Sequence, residues 1–187
     1  MALADHHSAF DQMKQMAGSW EGTLTHSTGE VVETRSNFRL ISDGNTMVEN
    51  LIEDGVETLT TYSEQDGALK VTHYCSLGTE PEFKAASNTA GSVDLLLVAD
   101  SGLHAKHHNF VASMHYDLSN IAAGSVVVSN TAMNGGTLES GRAVIRRVKY
   151  PRDRDRPSSR GVSVDLPQRS LWDGLDGRPI RAAAAYG

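Results

Sequence analysis

The chain has 187 residues, of which 39% are hydrophobic and 21% charged, a composition typical of a soluble globular protein. Residues 1–150 carry 10 Lys and Arg against 18 Asp and Glu, whereas residues 151–187 carry 7 Arg against 5 Asp. An acidic body without a basic stripe argues against nucleic-acid binding. No apolar run approaches the roughly 20 residues that a membrane-spanning helix needs, so we expect no membrane association.

The chain begins MALADHH, without a basic region followed by an apolar segment, and we expect no secretory signal. Cys75 is the single cysteine, which excludes an internal disulfide and a Cys-rich zinc site. These features predict a cytoplasmic protein. We expect His6 and His7 to be solvated.

A short helix is predicted within residues 5–17, where Phe10, Met13 and Met16 recur at helical spacing. Asp5 and Ser8 are candidate N-caps. This pattern favours a helix that packs its apolar face onto the core and covers one end of the fold.

From Trp20 onward the hydrophobic period changes to two, which is typical of strands. Asp-Gly dipeptides at 43–44, 54–55 and 66–67 predict tight hairpins, because glycine tolerates the positive φ of such turns. A meander of this kind hides its edges best by closing on itself, so we predict an all-β, antiparallel up-and-down barrel. Its ten strands are predicted at about 20–27, 30–41, 46–53, 56–63, 68–75, 82–87, 92–99, 107–117, 125–133 and 138–148.

Residues 151–187 are rich in Arg, Pro, Gly and Ser and show no sustained periodicity. We therefore predict a barrel domain over residues 1–150 followed by a flexible tail. A basic interaction arm is the alternative for this segment.

Two stretches resemble a known family. Gly18-Ser19-Trp20 after a short helix looks like the Gly-x-Trp motif of the lipocalin and calycin barrels. Residues 69–78, LKVTHYCSLG, with Glu80-Pro81 after them, resemble small bacterial lipocalin-like proteins of unknown function. The resemblance covers about residues 8–149 and implies a lipocalin-like fold.

In calycins an arginine on the last strand stacks over the tryptophan of the motif. The resemblance implies that Arg147 fills this role over Trp20, with Arg146 as the second candidate. The number of strands agrees with this contact. Because successive strands run in opposite directions, the first strand of a ten-strand meander starts at the end where the last strand finishes.

Alternation along the strands predicts which side chains face the interior. On the first strand, His26 shares the face of Trp20, and on the fifth, His73 and Cys75 share a face with Leu69. Two faces of the second strand compete, and we place the one carrying Phe38 inside. The side chains predicted to contact a ligand are His26, Phe38, Val71, His73, Cys75, Phe110 and Met114.

Five of the eight histidines fall at one end of this barrel: His26, His73, His104, His107 and His108. They allow three interpretations: a polar mouth to an apolar pocket, a metal or haem site, and catalysis that uses His73 with Cys75. For catalysis, His26 or His107 would be a better partner of Cys75, because a Cys–His pair usually comes from separate elements. The haem-binding nitrobindin-type barrels carry a longer Gly-x-Trp-x-Gly-x-Gly-x-Gly-x-Tyr-Pro motif. This chain matches that motif only as far as Gly22, which counts against haem.

The sequence favours a protein that binds or carries a small, mostly apolar molecule in the barrel, and it identifies no cofactor. A metal- or haem-assisted enzyme using the histidines at the mouth is the alternative. A packed barrel that acts as a protein–protein module is a third possibility. Residues 93–98 are apolar on both faces and could mark a strand covered by the N-terminal helix, a homodimer contact or a contact with the tail.

Overall fold

The computed structural model describes residues 8–148, apart from the side chains of Ser87 and Asn88. The predictions for His6, His7, Asp5 and the 151–187 tail lie outside these residues. No helix among the described residues is long and apolar enough to cross a membrane.

The described residues form one short helix and ten antiparallel strands that close into a barrel, as the sequence predicts. The helix α1 spans Ala9–Lys14. The strands are β1 (Gly18–His26), β2 (Val31–Ile41), β3 (Thr46–Glu53), β4 (Val56–Gln65), β5 (Ala68–Tyr74), β6 (Glu82–Thr89), β7 (Ser92–Leu97), β8 (Phe110–Asp117), β9 (Ser125–Asn134) and β10 (Thr137–Arg147).

Every strand pairs with its neighbours in the chain, and β1 pairs with β10 to complete the ring. Turns at Asp54-Gly55 and Asp66-Gly67 join β3 to β4 and β4 to β5, with positive φ at both residues of each pair. This is the backbone twist that two-residue hairpin loops require. The strong turn signals thus fix the register of the central strands.

The helix α1 lies within the predicted residues 5–17 and packs at one end of the barrel, called the closed end here. Ser8 is its N-cap, accepting a hydrogen bond from the Asp11 backbone N–H at 3.1 Å. Gln12 Oε1 accepts a hydrogen bond at 2.8 Å from the Gly91 N–H, in the turn between β6 and β7. The helix thereby seals the end at which β1 begins and β10 finishes.

Large side chains fill the half of the barrel nearest α1. Trp20, Met13, Met16, Phe83 and Val93 are fully buried there. Burying this much aromatic and aliphatic surface is the main stabilising term for such a fold. The filled half leaves space only toward the other end, which is called the open end here.

Trp20 and Arg147 are directly paired across β1 and β10. The guanidinium carbon of Arg147 lies 4.3 Å from the centre of the indole ring, and its Nη2 donates to the Gln15 carbonyl at 2.7 Å. Nη1 donates to the Ala17 carbonyl. The indole N–H of Trp20 donates to the Met16 carbonyl at 2.7 Å. Arg146, the second candidate, points outward and is exposed.

The strands β1 and β10 approach each other closely at Gly22. A Cβ placed on this residue would lie 2.0 Å from the Val144 carbonyl oxygen. Only glycine fits at this position without moving backbone, which gives Gly22 a packing role beside the Gly-x-Trp motif.

Candidate functional site

A cavity of about 270 Å³ occupies the half of the barrel toward the open end. An apolar cavity of roughly 150 Å³ is large enough for benzene, so this space can hold a somewhat larger organic molecule. The cavity is lined by side chains from β1 to β5 and β8 to β10 and from the connection after β5.

The two sides of the cavity differ in polarity. Strands β8, β9 and β10 contribute most of the apolar lining, from Val111, Met114, Val128, Ala132, Ala143 and Ile145. The same strands also contribute the polar side chains of Tyr116, Asn130, Asn134, Glu139 and Ser140. Strands β2, β3, β4 and β5 contribute a mostly polar wall, formed by Thr34, Ser36, Glu49, Thr58, Thr60 and His73, with Leu51 among them. These strand groups lie on opposite sides of a ten-strand ring, so a bound molecule would meet an apolar and a polar surface at once.

Glu49 is the central group of the polar wall and is only 5% exposed. The Ser36 hydroxyl donates to its Oε1 at 2.8 Å, and the Tyr62 hydroxyl donates to its Oε2 at 2.6 Å. The Tyr116 hydroxyl lies 2.7 Å from that of Tyr62, and 3.9 Å from the sulfur of Met114. The network therefore runs from the polar wall to the strands that carry most of the apolar lining.

Burial raises the pKa of Glu49 to about 7, although the hydrogen bonds from Tyr62 and Ser36 favour its charged form. Burial and the neighbouring Glu49 carboxylate raise the pKa of Tyr62 and Tyr116 well above their ordinary value, so both phenols stay protonated. Near neutral pH, Glu49 is thus divided between its charged and neutral forms.

His73 lies two strands from Glu49, in the same cross-strand row as Thr60. Its Nδ1 is 2.9 Å from the Thr60 hydroxyl. Burial lowers the pKa of His73 to about 4, so the imidazole is neutral above pH 5. A neutral imidazole on the cavity wall can donate or accept a hydrogen bond, according to its tautomer.

Other polar groups lie nearer the open end of the cavity. Burial raises the pKa of Glu53, an effect that the charge of His26 opposes. The Thr58 Oγ1 atom is buried and has no hydrogen-bond partner among the described residues. An unsatisfied buried hydroxyl costs about 1–3 kcal/mol, which a bound polar group could recover.

The structure brings four of the predicted ligand contacts to the cavity wall: His26, His73, Cys75 and Met114. Phe38 and Val71 face inward and are buried, but they belong to the packed core beneath the cavity and are not among its lining residues. Phe38 packs against Tyr62, with ring centres 6.3 Å apart.

Phe110 differs from the prediction for a local reason. A β-bulge between Val111 and Ser113 breaks the alternation of β8. As a result Val111 lines the cavity, whereas Phe110 is buried outside the main core cluster and is not among the lining residues. Simple alternation along the strand could not show this shift.

The loop histidines do not join the cavity. His104, His107 and His108 lie in the connection before β8 and are not among the lining residues. The His104 backbone N–H donates to Nδ1 of His108 at 3.0 Å, and the two rings stack 6.2 Å apart. Within residues 8–148, no group of three or more His, Cys, Asp or Glu side chains is placed to hold a metal ion.

Cys75 is not poised as a nucleophile. Burial raises the pKa of its thiol, and its sulfur accepts a hydrogen bond from the Leu77 backbone N–H at 3.5 Å. A reactive cysteine needs a lowered pKa, normally with a charged imidazole beside it. The low pKa of His73 works against such an ion pair.

Glu49 and Tyr62 were not singled out by sequence reasoning. On β3, Met47, Glu49 and Leu51 alternate with Val48 and Ile52, so the sequence offers two faces of similar hydrophobicity. The neighbouring strand β4 does carry a signal for this polar wall, because alternation puts Tyr62 on the same face as Thr60. Only cross-strand register shows that these positions meet Glu49 and Ser36.

These features define a closed antiparallel barrel with an internal cavity of mixed polarity. No family model matches the chain, and no curated protein matches it. A protein of unknown function from the DUF3598 family of Nostoc punctiforme has a similar structure, with a TM-score of 0.54 and 9% identity. The match covers 73% of this chain and 48% of that one, so the chain spans about half the length of that protein.

Two further solved structures match with lower scores. One is a redesigned β-barrel, with a TM-score of 0.39 and 13% identity over 78% of this chain and 100% of that one. The other is EF1p2_mFAP2b bound to DFHBI, with a TM-score of 0.34 and 9% identity over 73% and 97%. At 9% identity the Nostoc punctiforme protein supports the barrel fold alone, and membership of the lipocalins or calycins stays a prediction.

Proposed function

We propose that this protein binds or carries a small organic molecule with an apolar body and a hydrogen-bonding head group. The observation that carries the proposal is the cavity of about 270 Å³, with most of its apolar lining on β8–β10 and a mostly polar wall on β2–β5. A hydrophobic body against Met114 and Ile145 would supply most of the affinity. The polar wall would fix the orientation of the ligand.

This proposal modifies the expectation of a mostly apolar ligand. Glu49, Thr60 and His73 form a polar surface that an entirely apolar molecule would desolvate without compensation. A ligand with one polar end avoids that cost. We also propose a cytoplasmic location, where the lone thiol of Cys75 would stay reduced.

The metal- or haem-assisted alternative has no comparable observation in its favour. Only His26 and His73 of the five histidines line the cavity, and within residues 8–148 no group of three or more His, Cys, Asp or Glu is placed to hold a metal ion. We therefore argue the binding function alone.

Calorimetric titration with 4-phenylbutanol, which has an apolar ring and one hydroxyl, tests the proposal. We expect saturable binding at one site per chain. Ala143→Phe, which places a ring in the cavity, should weaken binding at least tenfold, and Val128→Phe should do the same from the neighbouring strand. Ala68→Phe, at an exposed position on β5, is the matched control and should bind like the wild type. Binding that survives both filling substitutions in folded protein would contradict the proposal.

A further inference from the structure

Acidic side chains predominate among the charged groups that line the cavity. Three carboxylates line it, from Glu49, Glu53 and Glu139, whereas no Lys or Arg among the described residues does. His26 and His73 are the ionisable bases on its wall. Because interactions between charges strengthen away from bulk water, a cavity of this composition disfavours an anionic guest.

Glu49 retains capacity to accept hydrogen bonds. An ionised carboxylate offers about four acceptor positions; Ser36 and Tyr62 occupy one on each oxygen, and the Thr60 hydroxyl is a third donor beside it. The carboxylate lines the cavity while being almost completely buried, so its unfilled positions lie in a site that is shielded from water. A donor there would satisfy a buried charge that is otherwise costly.

Two further groups beside Glu49 can each offer an atom to a ligand. Thr58 Oγ1 has no hydrogen-bond partner among the described residues. His73, itself 5% exposed, contacts Thr60 through Nδ1, which leaves Nε2 for a ligand. The titratable side chains that interact with Glu49 are Tyr62 on β4, Tyr116 on β8 and Glu53 on β3 itself, and His73 on β5 lies in the same cross-strand row beyond Thr60. None of these is a fixed cation that would neutralise Glu49.

From this arrangement we propose that the cavity selects ligands whose head group is a hydrogen-bond donor, above all a primary amine held by Glu49, and rejects carboxylates. The inference rests on the proposed binding function and adds the ligand class to it. An ammonium can donate three hydrogen bonds, to Glu49 and to the neighbouring acceptors, and its charge offsets that of the carboxylate. A carboxylate ligand would instead face Glu49 and Glu53 with like charge.

The test compares three probes with one apolar body: 4-phenylbutylamine, 4-phenylbutanol and 4-phenylbutyrate, titrated into the full chain at pH 8. We expect the amine to bind most tightly and the carboxylate at least tenfold more weakly than the alcohol. Glu49→Gln should lower the ratio of amine affinity to alcohol affinity at least tenfold while the alcohol still binds. Glu64→Gln, which removes an exposed charge on β4, is the control and should leave that ratio unchanged.

The outcomes separate the two proposals. If the alcohol binds and Ala143→Phe blocks it, but the carboxylate binds as tightly as the amine, the ligand class is wrong and the binding function stands. The ligand class is equally wrong if the amine-to-alcohol ratio is the same in wild type and Glu49→Gln. If none of the three probes binds to folded protein, both proposals are overturned.

Discussion

The Tyr62 hydroxyl donates to Glu49 Oε2 at 2.6 Å, across two neighbouring strands in the middle of the barrel. This bond lies at the boundary between the packed core and the cavity. It holds a carboxylate of unusually high pKa in position on the cavity wall. The stability and the proposed specificity of the protein therefore depend on the same group.

The first prediction concerns stability against pH. Between about pH 4.5 and 6.5 the folded chain keeps Glu49 protonated and His73 neutral, whereas the unfolded chain has Glu49 ionised and His73 protonated. For these two groups both states then bind the same number of protons. Each group changes the free energy of unfolding by about 3 kcal/mol over the pH interval between its folded and unfolded pKa values. The two changes have opposite signs and cancel in this window.

Single substitutions should reveal how each group alone makes the free energy of unfolding depend on pH. In Glu49→Gln only His73 remains, and its lowered pKa makes the free energy of unfolding rise with pH, by up to about 1.4 kcal/mol per unit relative to wild type. In His73→Gln only Glu49 remains, and its raised pKa makes the free energy of unfolding fall with pH. Urea unfolding at intervals from pH 4.5 to 6.5 measures both. Parallel curves for the two variants would contradict this account.

The second prediction concerns the tyrosine pair. Tyr62→Phe removes a hydrogen bond to the charged form of Glu49, so the variant should lose about 1–3 kcal/mol of stability at pH 8 and less at pH 5. Tyr116→Phe removes a hydroxyl that contacts Tyr62 rather than the carboxylate. It is the matched control and should show a smaller loss at pH 8, with little change between the two pH values. Equal, pH-independent losses would show that Tyr62 acts through packing alone.

The third prediction concerns barrel closure. Arg147→Met removes the cation–π contact with Trp20 and the hydrogen bonds to the Gln15 and Ala17 carbonyls. We expect a loss of about 1–3 kcal/mol, measured by urea unfolding. Arg146→Met changes an exposed arginine on the same strand and should cost less than about 0.5 kcal/mol. If both variants had the same stability, the contact with Trp20 would contribute nothing to closure.

Much of the fold could be predicted from the sequence because its signals are local. Asp-Gly turns mark the hairpins, alternation marks the strands, and Phe10, Met13 and Met16 mark the helix face. The helix lies within the predicted residues 5–17, and residues 15–17 after it turn toward β1, where their carbonyls accept hydrogen bonds from Arg147 and Trp20. The pairing of the first and last strands could also be predicted, because with ten antiparallel strands the first begins where the last finishes.

The site was less predictable because it depends on register. Alternation placed His26, His73, Cys75 and Met114 on the cavity wall, but it could not show that Phe38 lies below the cavity. The bulge in β8 has no clear sequence signal, and it exchanges the roles of Phe110 and Val111. Glu49 was missed for a related reason, since both faces of β3 carry apolar residues and a buried carboxylate is uncommon.

The cavity itself is tested most directly by methyl NMR of the full chain during titration with 4-phenylbutanol. We predict saturable shift changes at methyls that line the cavity, namely those of Leu24, Leu51, Met114 and Val128. The exposed methyls of Val56, Leu59 and Leu138 should stay unchanged in the same spectra. Shifts confined to the exposed methyls, or absent from those of the cavity at saturating ligand, would contradict the account.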